Sequence, residues 1–389
     1  MRKIPLSPID HVFVGPGSYP IEFVFYYPGG LPKERFQTRL EAAWNNVQAV
    51  CPVLASRLVI ANSSYCFESE PQDSPLPITW NKVNRPVHPA HHKTPYDLVD
   101  PVITSTGQLM ARLKITEGTD GAVLGFSLSH AVADGFTYFM ILAAITQAIR
   151  SPDLDVPAMD HRRHLIWDFA KDSPYKTSPV AGFANTTQRQ DIKRSDIKYS
   201  TREFPKEKLA SISAAFAESS KRLSLNDMIC ADIWRDFTMN LDSDRSDELS
   251  FVAPVDFRRL LPDFPKNYVG NGIVLARVDR SRKALLAESL ADTANAIRQA
   301  VKDVNPDYIL RCVSPLTTRL TTDSYGGLGN LHIVDPKGGL LITNLSRMSF
   351  ATLDFGTGAP TYCRPLTPCK RLVVLMSDGQ DGITAHIHA

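Results

Sequence analysis

The stretch from residue 151 to about residue 200 constrains the architecture of this chain more than any other part of it. It carries Pro152, Pro157, Pro174 and Pro179, many charges and little hydrophobic periodicity. A segment of that length without regular patterning acts as a connection or functional loop, not as core. It leaves two halves, residues 1–150 and 201–389. Each is long enough for an apolar core of its own, because 43% of the 389 residues are hydrophobic.

Both halves mix strand-like and helix-like runs. Runs rich in Val, Ile, Phe and Leu, bounded by Gly, Pro, Asn or Asp, predict strands at 23–27, 109–115, 122–128, 250–255, 272–278, 339–343, 372–376 and 382–387. The last reads as an edge strand. Helix patterning covers 32–50, 136–150, 206–219, 225–239 and an Ala-rich stretch at 284–304 that stops before Pro306. The expected fold is α/β: two lobes of mixed sheet flanked by helices, 1–150 and 201–389, joined by the 151–200 crossover loop.

Composition narrows the function. A net charge of +2 with mixed signs offers no basic excess for nucleic acid. The apolar stretches, 139–145 among the longest, fall far short of the ~20 residues of a membrane span. No apolar segment follows the charged start at Arg2 and Lys3, so no secretory signal is expected. Cys51, Cys66, Cys230, Cys312, Cys363 and Cys369 are scattered without a Cys-x-x-Cys. They read as buried thiols in a reducing compartment, and no metal is expected. The expectation is a cytoplasmic monomer.

One motif carries chemistry. The run Ser129-His130-Ala131-Val132-Ala133-Asp134-Gly135 follows the buried strand at 122–128, and a helix is expected from Ala131 onward. A histidine there reaches a cleft from a rigid base. Its ordinary pKa of roughly 6.5 leaves neutral imidazole to take a proton from a hydroxyl or amine attacking a thioester. Asp134 is either a triad-like partner of His130 or a structural anion paired with an arginine. The spacing by itself does not choose.

A second run, Asp354-Phe355-Gly356-Thr357-Gly358, stands near the C-terminus. Together, His130-Ala131-Val132-Ala133-Asp134-Gly135 and this run resemble the two signatures of the BAHD acyltransferases, His-x-x-x-Asp-Gly and Asp-Phe-Gly-Trp-Gly. Asp256-Phe257-Arg258-Arg259-Leu260-Leu261-Pro262, then Gly270-Asn271, and Thr343-Asn344-Leu345-Ser346-Arg347 resemble further family segments. The resemblance implies two chloramphenicol-acetyltransferase-like lobes with a channel between them. It implies an acyl coenzyme A thioester as co-substrate, with no permanently bound cofactor, and an alcohol or amine of a specialised metabolite as acceptor. His130 becomes the general base and Asp134 a structural partner of Arg258. Asp354, Phe355, Gly356 and Gly358 become a structural loop. Thr357 and Leu345 stand where the family has Trp. Leucine has no donor, so either the Thr343 hydroxyl serves the oxyanion or acyl site, or the oxyanion is held elsewhere.

Arg277, Arg280, Arg282 and Lys283 are candidates for the phosphates of coenzyme A. Arg347 reads as a ligand or, with the resemblance, an internal salt bridge. Two rival functions remain. Peptide-synthetase condensation domains use His-His-x-x-x-Asp-Gly on a carrier-bound thioester, but Ser129 precedes His130 here. A non-catalytic binding protein on the same fold is the other. His88, His91 and His92 read as unstructured surface, and His161, Arg162, Arg163 and His164 as solvent-facing. Residues 326–330 read as a turn or channel loop. Tyr26, Tyr138, Trp167 and Phe350 read as acceptor pocket or core.

Overall fold

The computed structural model describes residues 2–69, 75–92, 95–217, 222–241, 247–322, 328–348 and 350–389. The apolar runs of the first half pair into a five-stranded sheet with spatial order Tyr362–Pro365, Pro20–Tyr27, Ala122–Ser129, Ala111–Glu117, Ile78–Lys82. Neighbours are antiparallel except the last two, which run parallel. Pro20–Tyr27 and Ala122–Ser129 are buried at every residue, so they read as continuous apolar runs and not as alternations. Helices Lys33–Val50 and Gly135–Arg150 pack against each other.

The second half builds a six-stranded mixed sheet: Ile273–Ser281, Glu248–Asp256, Gly339–Asn344, Leu372–Ser377, Ile383–His388, Tyr199–Phe204. This is the α/β architecture of mixed sheets flanked by helices that was expected, with a three-stranded sheet of Lys3–Pro5, Ser64–Ser69 and Ser56–Ala61 and a two-stranded one beside the two large sheets. Four details differ. Ile383–His388 is interior, because Tyr199–Phe204, a polar strand without the expected apolar pattern, covers its outer side. The long helix at 284–304 is two helices, Arg282–Ala287 and Leu290–Lys302. Ser289 breaks it by capping the second, accepting from Asp292 N at 3.1 Å. Pro306–Thr322, absent from the predicted elements, is a helix with Pro315 inside it. Finally, Tyr362–Pro365 belongs to the first-half sheet although it lies within 201–389. Its backbone pairs only with Pro20–Tyr27, and an edge position tolerates Pro365.

That exchange ties the halves together. One apolar cluster runs from Phe126, Tyr138 and Ile145 through to Phe257, Tyr268 and Val274, while Trp234, Phe251 and Phe204 fill a second core under the six-stranded sheet. All six cysteines are buried and free. Among the described residues no helix is long and apolar enough to cross a membrane.

The interior strand predicts acid sensitivity. His386 and His388 are each 2% exposed. Burial pushes His386 down to about 3 and His388 to about 4, with Arg364 adding to both. The folded state therefore binds fewer protons than the unfolded chain below the ordinary value near 6.5. Stability is fully present above that value and falls as pH drops toward 4. At pH 5 each histidine costs about 2 kcal/mol, so about 4 kcal/mol of a total of roughly 5–15. A thermal melt is expected to show a clearly lower Tm at pH 5 than at pH 7.5, with a shallower drop in His388→Asn. An unchanged Tm across that range would contradict the burial of these rings as the cause.

Candidate active site

The site begins where strand Ala122–Ser129 ends. The chain turns through His130, Ala131, Val132 and Ala133, and the helix starts at Gly135, later than the expected Ala131. Asp134 sets that boundary. Its backbone is extended and its Oδ1 accepts from Thr137 N at 2.9 Å, which makes it the helix cap. Ser129 pins the turn, its carbonyl accepting from Val132 N at 3.0 Å and its hydroxyl from Ala131 N at 3.2 Å. Gly135 admits a close neighbour: a Cβ there would stand 2.9 Å from Leu345 Cδ2. Leu345, at the family's Trp position, thus packs on the start of the helix.

Phe13 stacks on the His130 ring with centroids 3.7 Å apart and planes 3° from parallel. Tyr19 meets it edge-on at 5.5 Å. The side-chain partner of the ring is Asn271, whose Oδ1 lies 3.2 Å from Nδ1. Burial pushes the imidazole down to about 4, against opposing pulls from its own backbone carbonyl, Asp134, Asn271 and Asp10. It is neutral at pH 7.

Asn271 is itself held. Its Nδ2 donates to His130 O and to Asp10 Oδ1, both at 2.8 Å. The other Asp10 oxygen pairs with Arg163 and accepts from Ser7 N at 2.8 Å. Arg163 also donates to Ala131 O at 3.3 Å and Val132 O at 2.7 Å. The basic run around Arg163 predicts a place in solvent, yet its side chain and that of Asp10 have no exposed surface. The local run of four basic residues hides a partner 153 positions away. Of its neighbours, His161 is half-buried and donates to Val50 O, while Arg162, paired with Asp160, and His164 are exposed.

Asp134 is not a partner of the imidazole. Its Oδ2 accepts from Gly272 N and pairs with Arg258 Nη2, both at 2.8 Å. Arg258 is buried, donates to Tyr268 O and Gly270 O, and pairs also with Asp256 at 3.2 Å. The backbone of Gly272 lies against the guanidinium, where a Cβ would come within 2.4 Å.

The second signature lies among first-half residues. Asp354 Oδ1 accepts from Gly356 N at 2.7 Å and Gly358 N at 3.0 Å. Phe355 is fully buried, edge-on to Tyr27 and Phe36. Thr357 is exposed, so the missing indole leaves no hole in the core. Thr343 is half-buried at the end of Gly339–Asn344, two residues before Leu345.

The expected phosphate cluster is not a free cationic patch. Arg277 pairs with Asp279 at 2.8 Å and Arg280 with Glu288 at 3.3 Å, while Arg282 donates to Thr238 O and Leu241 O. Lys283 alone of the four is exposed and outside any ion pair among the described residues, and Arg347 is likewise exposed. The Thr238 and Leu241 carbonyls arrive through folding, while Asp279 shares a strand face with Arg277 two positions away.

Phe13 and Tyr19 also line a cavity of about 530 Å³, together with Arg189, His332 and Cys369. Thr187 and Pro336 are shared with a second cavity of about 920 Å³ that reaches Arg277 and Arg280. Cys369 brings a thiol to the first cavity, but burial pushes it up to about 12, so it stays protonated. The His88 segment is an ordered turn, Pro89–His91, tied by Asp120 to Val87 N and His88 N, and not loose surface. Among the described residues no group of three or more His, Cys, Asp or Glu is placed to hold a metal. Tyr138 and Phe350 are core, Tyr26 is buried, and Trp167 is half-buried with its indole N–H on Leu6 O. Of residues 326–330, the first two lie outside the described residues and the rest form a turn.

Comparison with known proteins agrees with this fold. The Transferase family profile matches residues 95–388. The omega-hydroxypalmitate O-feruloyl transferase of Arabidopsis thaliana is 27% identical over 273 residues, 67% of this chain and 56% of that protein. The chain spans about half the length of the curated relatives it matches. TRI101 of F. sporotrichioides, solved with coenzyme A and T-2, superposes with a TM-score of 0.74 at 16% identity, covering 99% of this chain and 94% of that one. Vinorine synthase gives 0.74 at 19% identity, covering 100% and 90%.

Proposed function

This chain belongs to the Transferase family, the BAHD acyltransferases, and on that premise we propose that it moves an acyl group from coenzyme A to a hydroxyl or amine, with His130 as general base. One observation carries the reading. A neutral imidazole, mounted on a pinned strand-to-helix turn and engaged at Nδ1 by Asn271, stands against two aromatic residues that wall a 530 Å³ cavity.

Nε2 takes the acceptor proton as its oxygen or nitrogen attacks the thioester carbonyl. The tetrahedral intermediate collapses, the C–S bond breaks, and the proton passes to the departing thiolate. The Thr343 hydroxyl is our candidate donor to the oxyanion. An O-feruloyl transferase and an anthranilate N-benzoyltransferase both stand among the relatives, so an oxygen and a nitrogen acceptor each fit.

The test is release of free thiol from a panel of acyl-CoA donors offered with alcohol and amine acceptors. Acceptor-dependent thiol release supports the proposal. Turnover only with an acyl-carrier protein would move the chain to the condensation-type reaction, and no turnover with either would favour a binding protein.

A further inference from the structure

The ring of His130 has two nitrogens, and only the one without a proton can act as the base. We propose that Asn271 is a positioning residue: held by the buried Asp10–Arg163 pair, it keeps the proton of His130 on Nδ1 and leaves Nε2 as the accepting nitrogen. This deepens the general-base reading and rests on it.

The assignment follows from donors and acceptors. Asn271 Nδ2 stands 2.8 Å from His130 O and 2.8 Å from Asp10 Oδ1. A backbone carbonyl only accepts, and so does a carboxylate paired with arginine. The amide must therefore turn its nitrogen to them. The atom 3.2 Å from His130 Nδ1 is then the amide oxygen, which also only accepts. Nδ1 must donate, so it carries the proton. The stacked Phe13 fixes the plane of the ring, and a half-turn within that plane would set a C–H against the amide oxygen and lose the bond.

The amide is fixed in turn. Asp10 Oδ1 accepts from Asn271 at both Nδ2 and the backbone N, the latter at 3.2 Å. Asp10 Oδ2 is occupied by Arg163 and Ser7 N. Arg163 in turn holds the carbonyls of Ala131 and Val132, the two residues after the base. Asp10, Arg163 and Asn271 are each at most 1% exposed. A fully buried ion pair contributes little to stability because desolvation offsets its attraction. Here its geometric effect is specific: it orients one amide, and that amide selects one tautomer. The network draws on three segments, the N-terminal turn Asp10–Phe13, the crossover at Arg163 and the Gly270-Asn271 run, and converges on a single ring.

Two measurements test this. In the unsubstituted protein labelled with 15N-histidine, with His130→Ala identifying the signal, His130 is expected to show a protonated Nδ1 and an unprotonated Nε2 at pH 7. The opposite pattern overturns the proposal without any folding question. In Asn271→Leu, close in size but without the amide, kcat is expected to fall about 100-fold, the scale of a misplaced catalytic group. KM for acyl-CoA should hold and the tautomer pattern should change. Asn271→Asp keeps an oxygen for Nδ1–H but turns its other oxygen on Asp10 Oδ1 and the His130 carbonyl, which also only accept; kcat is expected to stay low while the added negative charge moves the acid limb of the pH profile upward, a shift that a merely structural residue does not produce. Wild-type kcat in a folded Asn271→Leu overturns the proposal. Wild-type turnover in His130→Ala instead sinks the general-base reading, and the tautomer measurement separates the two failures.

Discussion

Replacing His130 by alanine is expected to lower kcat by about 10²- to 10⁴-fold, the usual worth of a positioned general base. The fold should survive. The ring's side-chain contacts are a stack on Phe13, an edge to Tyr19 and a hydrogen bond to Asn271, none of which belongs to the helix cap or the Arg163 contacts. Tm should stay close to wild type and coenzyme A should still bind. The pH profile sharpens the test. With His130 near 4, the base form is almost fully populated from pH 5.5 upward. The acid limb of kcat/KM should therefore lie well below the 6.5 of an ordinary histidine. So weak a base is adequate because the acceptor hydroxyl becomes strongly acidic only as the C–O bond forms. Cys369→Ser is the matched control. It lines the same cavity, but its thiol is pushed up to about 12, so turnover should be kept. A folded His130→Ala with near-normal turnover would end the assignment.

What the sequence made visible was local. A buried strand followed by His130, Asp134 and Gly135 announces a strand-to-helix turn, because strand periodicity stops there and a capping residue follows. Most long elements were legible for the same reason. The partners of the site were not. Asp10 and Asn271 are 261 positions apart, and no window around either shows the other. Arg163 sits in a run of basic residues whose composition reads as solvent. Only the arrival of Asp10 and the Ala131 and Val132 carbonyls makes burial tolerable. Phe13 and Tyr19 look like ordinary apolar residues of an N-terminal segment, and nothing local says that their rings meet a histidine. Tyr362–Pro365 is too short for periodicity and becomes a strand only because Pro20–Tyr27 offers it an edge. Arg277 is a different case: on a strand it shares a face with Asp279 two positions on, so that pair stands in the spacing itself, whereas the Arg280–Glu288 pair forms only once the chain turns into the next helix.

Asp134→Ala is expected to fail differently, losing stability and activity together. Asp134 is buried and serves three donors: Thr137 N, Gly272 N and Arg258 Nη2. Its removal leaves Arg258, 1% exposed, with Asp256 as its carboxylate, and that carboxylate is 43% exposed. Stripping one member from a buried ion pair costs about 3–5 kcal/mol, because the remaining charge stays desolvated. Loss of the cap adds about 1 kcal/mol. In urea denaturation the midpoint should fall steeply. Arg258→Met should cost a similar amount by stranding the carboxylate. The double replacement Asp134→Ala with Arg258→Met should cost less than the two single changes added together, since no unpaired charge is left. Activity should follow stability. The turn carrying His130 is bracketed by Ser129 and Asp134, and Gly272, bonded to Asp134, directly follows the Asn271 that engages the imidazole. Loosening that bond lets both the imidazole and the amide that engages it drift, so kcat should fall in single variants that still fold. Additive costs in the double variant would show that the pair does not act as a unit. Asp134→Ala with wild-type stability but no activity would instead return Asp134 to a direct role beside His130.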